Sequence, residues 1–191
     1  MKFDVADKPQ PIAGAMAETV IDFWRDAGPE RWFKKDAAFD VLFRERFMPL
    51  HFAAARRELD GWAETATGSL ALMILLDQFP RNSFRGTAHM YATDPLALHF
   101  ARQAQAKGHG EAIEPELRLF LHLPFCHSED LADQDLSVAL STPLGGAARE
   151  HAEGHRDIIR RFGRFPHRNA LLGRTTTPEE KAFLAEGGFA G

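Results

Sequence analysis

The chain has 191 residues, 45 % of them hydrophobic and 26 % charged, an ordinary globular composition that excludes a disordered or fibrous chain. The formal net charge of −4 argues against general affinity for nucleic acid, so no nucleic-acid partner is expected. One cysteine, Cys126, excludes an intrachain disulfide framework and suits a reducing compartment. The opening "MKFDVADKPQPIAGAM" lacks the apolar stretch of a secretory signal. The longest apolar run, Leu70 to Leu76, is too short to cross a bilayer. A cytoplasmic protein with no membrane partner is expected, and length favours one domain over 1–191 behind a short tail of about 1–11.

Helical periodicity runs through the whole chain. Met16, Val20, Phe23 and Trp24 share one face of a first helix. Phe39, Leu42, Phe43, Phe47, Leu50, Ala53 and Ala54 mark a second, with Asp40, Arg44 and Glu45 outward and a kink or break expected at Pro49. "TGSLALMILLDQ" is apolar all round and therefore central. Pro80 disfavours helical geometry at Phe79, so this helix is expected to end near Gln78. Thr93-Asp94-Pro95 reads as an N-cap, an acid in the first turn and a proline where a missing N–H costs least. The helix after it carries Leu96, Phe100, Ala101 and Ala104 and stops at Gly108. "PELRLFLHL" forms the next, Ser128 is expected to cap another, and "AREHAEGHRDIIRRF" runs to Gly163. Thr177 and Glu180 have capping-box spacing for a short last helix. Short connections favour antiparallel neighbours, so the expected fold is all-α, about eight helices in stacked hairpins.

Three polar clusters stand out. The first is Asp77, Gln78, Arg81 and Asn82 at the mouth of the most buried stretch. Arg81 and Asn82 suit a helix end that needs donors, but a carboxylate there opposes the helix dipole, so Asp77 needs a specific partner. The second is "FCHSED", with His127 and Glu129; Cys126 reads as a buried, inert thiol. The third holds His155, Arg164, His167, Arg168 and Asn169. His151 and His155 have the i, i+4 spacing of metal ligands, but sequence offers no third ligand and the run matches no zinc motif, so no metal is expected. Arginine without lysine in this segment suits bidentate anion binding. Charge is uneven: residues 111–140 carry seven acids against Arg118, and 149–174 carry seven arginines against three acids. These stretches either pair with each other or face a partner. Phosphate-loop, dinucleotide and esterase motifs are absent.

"LLDQFPRNSFRG", "ATDPLAL", "HSE" and "RRFGRFPHRNALLGRTTTPEE" together resemble the bacterial family catalogued as domain of unknown function 924, over about Val20 to Leu184. The resemblance implies a tetratricopeptide-repeat-like α-α superhelix. It places recurrent polar positions at Asp77, Gln78, Arg81, Asn82, His127, Glu129, Gln134, His155, Arg164, His167, Arg168 and Asn169. Cys126 departs from the pattern, which often carries an acid before the histidine, and His151 lies outside it. The family has no assigned reaction, so the resemblance implies no cofactor.

Three functional expectations remain open. The clusters form a pocket for a small anionic molecule or a peptide carboxylate, with arginine clamps. Alternatively the protein is an enzyme, in which His127 or His155 acts as general acid or base, Asp77 or Glu129 orients it, and Arg81 or Arg168 stabilises negative charge. Or the clusters are an electrostatic lock for the fold.

Overall fold

The computed structural model describes residues 10–189; most of the expected tail at 1–11 lies outside the described residues. Among the described residues the fold is all-α with no strand. The helices are α1 (Gln10–Ala27), α2 (Pro29–Trp32), α3 (Ala37–Ala55), α4 (Ala66–Met73), α5 (Phe79–Ser83), α6 (Asp94–Ala106), α7 (Pro115–Cys126), α8 (Leu131–Ser141), α9 (Gly146–Phe162) and α10 (Pro178–Ala185). No helix among the described residues is long and apolar enough to cross a membrane.

The central position of α4 follows from its sequence. Every residue from Gly68 to Met73 is buried, and α1, α6 and α7 all pack on it. Gly68 is needed at its first turn, where a Cβ would sit 2.1 Å from the Trp62 carbonyl oxygen. On α3 the buried row is Phe39, Phe43, Phe47 and His51, spaced by four, and Phe23 and Trp24 of α1 stack into it. The expected faces were slightly too wide: Met16 and Leu42 are exposed, Leu42 by 52 %. Asp40, expected outward, instead turns in to accept from Asn82 and Arg85. From α6 to α9 each helix packs on the next, α6 on α7, α7 on α8 and α8 on α9. Ile158, Ile159 and Phe165 form a smaller apolar cluster with Phe162 and Phe183.

Proline does not end the helices as expected. α3 continues through Pro49 without a break. Helix also continues past Gln78, through a π turn (Ile74–Gln78) into α5, and Phe79 keeps helical angles. The Phe79 N–H donates five residues back, to Ile74, which releases the Leu75 carbonyl. Pro80 has no N–H and cannot serve the Leu76 carbonyl in an α pattern. Both oxygens are satisfied from elsewhere. His51 Nδ1–H donates to Leu75 at 2.9 Å, and Thr93 Oγ1 donates to Leu76 at 2.5 Å. Thr93 stands at the N-cap position of α6 but its side chain makes no cap bond there. At α8 the capping side chain is Asp130, which accepts from Ala132 and Asp133; Ser128 donates to Asp133 instead. The capping box of Thr177 and Glu180 is present, and Gly108 and Gly163 follow α6 and α9 in left-handed geometry.

The acidic and basic stretches pair in part. Asp135 meets Arg156 and Arg160, and Glu129 meets Arg174. Replacing Thr93 by valine removes the donor to the buried Leu76 carbonyl at nearly constant volume. The expected loss is about 1–3 kcal/mol, read as a lower midpoint in urea unfolding with an unchanged slope.

Candidate functional site

The unbroken run from α4 through the π turn into α5 fixes where the first cluster points. Asp77 lies 1 % exposed at the inner side of the turn. Its Oδ1 accepts from His127 Nδ1 at 2.7 Å, and its Oδ2 accepts from Gln78. Arg81, one helical turn on, donates to the Asp77 carbonyl at 2.7 Å and lies 3.2 Å from Oδ1. Burial works against the Asp77 charge, but the Arg81 guanidinium, then His127, outweigh it and hold the carboxyl at about 2.

Arg81 has a second carboxylate. It grips Asp94 at the start of α6 with two bonds, 2.8 and 3.1 Å. Asp94 also accepts from Arg168 at 3.2 Å. Arg168, 6 % exposed, donates to the His127 carbonyl and lies between the rings of Tyr91 and Phe165, 4.6 and 4.5 Å from their centroids. Burial lowers the Arg168 pKa, opposed by Asp94. Its Nε–H is buried and has no hydrogen-bond partner among the described residues.

Gln78, Arg81, Tyr91, His127 and Arg168 border a cavity of about 310 Å³, lined also by Trp32, Phe33, Asn82, Arg85, His151, His155, His167 and Phe189. A neighbouring cavity of about 360 Å³ holds Asp94, Glu129 and Arg174, and shares Tyr91, His127 and Arg168 with the first. All four imidazoles of the first cavity are pushed below their usual pKa, chiefly by burial. His155 falls to about 3 and His167 to about 4, while Arg81 adds to the effect at His127 and His127 to that at His151. For His155 and His167 these values favour the neutral ring at neutral pH, and for His127 burial and Arg81 push the same way while Asp77 opposes them. The Asp77 charge is compensated by Arg81 at 3.2 Å. Asp77 and Asp94 offset Arg81 and Arg168, and Asp40 offsets Arg85, so the site is close to electroneutral.

The structure thus brings Gln78, Arg81, Asn82, His127, His155, His167 and Arg168 to one cavity, with Asp77 beneath and Glu129 in the adjoining one. Two expected positions lie elsewhere. Arg164 donates twice to Glu180, and Asn169 Nδ2 donates to the same carboxylate at 3.1 Å. The Thr177 N–H also donates to Glu180. Arg164 and Asn169 therefore hold the segment before α10, because Glu180, read only as a cap, is the acceptor that gathers them. Gln134 is buried and donates to the Cys126 and Ser128 carbonyls, bracing the turn that carries His127.

Sequence reasoning missed Asp94 and Tyr91. Asp94 was read as a first-turn acid, and its bond to two arginines from distant segments leaves no local signal. Tyr91 did have one, being the only tyrosine beside 16 phenylalanines.

What the fold and site define is an all-α protein with a buried carboxylate–histidine pair beside an arginine-rimmed cavity. The chain belongs to the family described as bacterial protein of unknown function, DUF924, whose model matches residues 20–188. It is similar to the solved structure of a protein of unknown function from Agrobacterium tumefaciens, with 62 % sequence identity and a TM-score of 0.90 over 92 % of this chain and 99 % of that one. No curated protein matches the chain.

Asp77→Asn is expected to cost about 2–4 kcal/mol, since Arg81 loses a buried partner but keeps Asp94. Arg81 and His127 hold the Asp77 carboxyl at about 2 in the fold, below the ordinary 3.8 of a free aspartate, so its charge stabilises the fold above about pH 4 and this contribution fades as pH falls toward 2. The gap in unfolding free energy between wild type and variant is expected to be constant above about pH 5 and to narrow through that window.

Proposed function

We propose that the cavity binds a small molecule carrying one anionic group and that His127, oriented by Asp77, acts on it as a general base. The observation that carries this reading is the 2.7 Å contact between Asp77 Oδ1 and His127 Nδ1, made by a histidine that lines both cavities. The bond commits Nδ1, and an uncharged ring then has its lone pair on Nε2, the nitrogen left to take a proton from a ligand or a water. A carboxylate that fixes the tautomer of a histidine is the recurrent arrangement for such a base. Near electroneutrality argues for a single charge on the ligand rather than a polyphosphate.

A binding module without turnover is the second reading, favoured by the ring-sandwiched Arg168 and by the aromatic walls Trp32, Phe33 and Tyr91. The successive packing of α6 to α9 supports a tetratricopeptide-repeat-like superhelix, in which the chain forms one helical unit.

The test is thermal unfolding of wild type and His127→Gln with monocarboxylates, phosphates, nucleotides and short peptides, followed by turnover assays on whichever class raises the midpoint. A monocarboxylate is expected to stabilise both proteins. Turnover in His127→Gln is expected to fall about 10²–10⁴-fold. Wild-type turnover in the variant contradicts the general base, and stabilisation without turnover in either protein supports the binding module. If no compound binds, the network is a structural lock.

A further inference from the structure

His151 and His155 share one face of α9, four residues apart, and need a third donor to hold a metal. The fold brings one. Cys126, the last residue of α7, places its Sγ against them: the sulfur and one ring nitrogen of each histidine all lie within 4.8 Å of one another. We propose that Cys126, His151 and His155 form a site for a divalent transition-metal ion, with zinc as the fitting class and one coordination position open to the cavity.

The donor set selects the ion. One thiolate and two imidazoles suit zinc and its neighbours, whereas magnesium and calcium require oxygen. Three protein ligands with a fourth position left over is the pattern of zinc sites that bind a water or a substrate. Cys126 and His155 are buried while His151 is exposed, so two donors are held by packing and the third can adjust. Tetrahedral zinc, with bonds of about 2.3 Å to sulfur and 2.0–2.1 Å to nitrogen, places its donors about 3.3–3.7 Å apart. Closing from the present spacing takes a shift of about 1 Å, within reach of a rotation of the His151 side chain.

The surroundings are those of a ligand rather than of a packing histidine. His155 Nδ1–H donates to the His151 carbonyl at 2.9 Å, which fixes the tautomer and leaves the Nε2 lone pair for a metal, as outer hydrogen bonds do at metal sites generally. The His151 and His155 rings lie 4.2 Å apart, and Phe165 and Phe189 pack on His155, giving the apolar shell that restricts water. Among the described residues no carboxylate is hydrogen-bonded to either imidazole, so a cation here displaces no ion pair. Binding replaces the S–H bond of Cys126 with a sulfur–metal bond and releases one proton to solvent, with no redox change.

The site does not depend on the general-base reading, since His127 is not a ligand. The experiment is titration of the tag-free, reduced full-length chain with Co²⁺ alone, followed by displacement with Zn²⁺. One ion per chain is expected, with a thiolate-to-cobalt charge-transfer band and the intense visible absorption of a tetrahedral ion. His151→Ala, a change at an exposed side chain, is expected to weaken binding at least about tenfold. Cys126→Ser is expected to abolish the charge-transfer band. Should that variant not fold, alkylation of Cys126 in the unfolding wild-type protein gives the same information, because Zn²⁺ is expected to slow it. His127→Gln is expected to bind Co²⁺ as wild type does, so the loss of turnover and the loss of metal separate. A pale, octahedral cobalt spectrum that His151→Ala leaves unchanged, or no saturable binding, overturns the proposal.

Discussion

A carboxylate placed at the centre of a helical core requires donors on every side, and the residues around Asp77 are arranged by that requirement. Gln78 and Arg81 come from the same helical run, and His127 comes from the end of α7. Arg81 is itself buried enough to need further compensation, which Asp94 gives with a two-pronged contact. Asp94 in turn draws in Arg168, whose guanidinium is held between Tyr91 and Phe165 and anchored on the His127 carbonyl. One buried charge thus ties α4, α5, α6, α7 and the turn after α9 into a closed circuit. A circuit of this kind contributes little net stability, because desolvation offsets the attraction. It does fix geometry, and what it fixes is the orientation of one histidine.

The circuit exists only because the helix does not stop where its sequence suggests. Pro80 removes a hydrogen bond and should end the run, yet the π turn carries Asp77 and Arg81 onto the same inner face. The change of register is stable because two side chains far away in sequence, His51 and Thr93, take the carbonyls it releases. Such turns are frequent at functional sites, since they rotate a few residues relative to the rest of a helix. Here the rotated residues are the acid and the amide of the site.

Local rules were therefore legible wherever local physics decided. The period of Phe39, Phe43 and Phe47 gave a buried face, "TGSLALM" gave the centre, and Thr177 with Glu180 gave a cap that is present. Asp77 does have the partners expected of it, but for a different reason: the helix does not end near Gln78, and it is burial in the core that makes the carboxylate need donors. Most of the failures share one cause: a distant group outbid the local rule. The Thr93 hydroxyl goes to the Leu76 carbonyl rather than to a cap bond, and Arg164 and Asn169 turn to Glu180; the choice of Asp130 over Ser128 as the cap of α8 is a local one. The pairing of Cys126 with His151 and His155 was equally invisible, because α7 and α9 meet only in the folded chain.

The electrostatics separate this cavity from a simple anion trap. Its arginines already have acidic partners, and burial together with those same arginines pushes its imidazoles below their usual pKa. A neutral histidine bonded to a permanent carboxylate can accept a proton, whereas an imidazolium locked in a salt bridge cannot. The central claim is therefore about which nitrogen of His127 carries hydrogen, and long-range proton–nitrogen NMR of the histidine rings measures it most directly. The account expects His127 at neutral pH to be an uncharged ring, protonated at Nδ1 and bare at Nε2, with the downfield Nδ1 proton lost in Asp77→Asn. A ring protonated at both nitrogens, or at Nε2 alone, contradicts it.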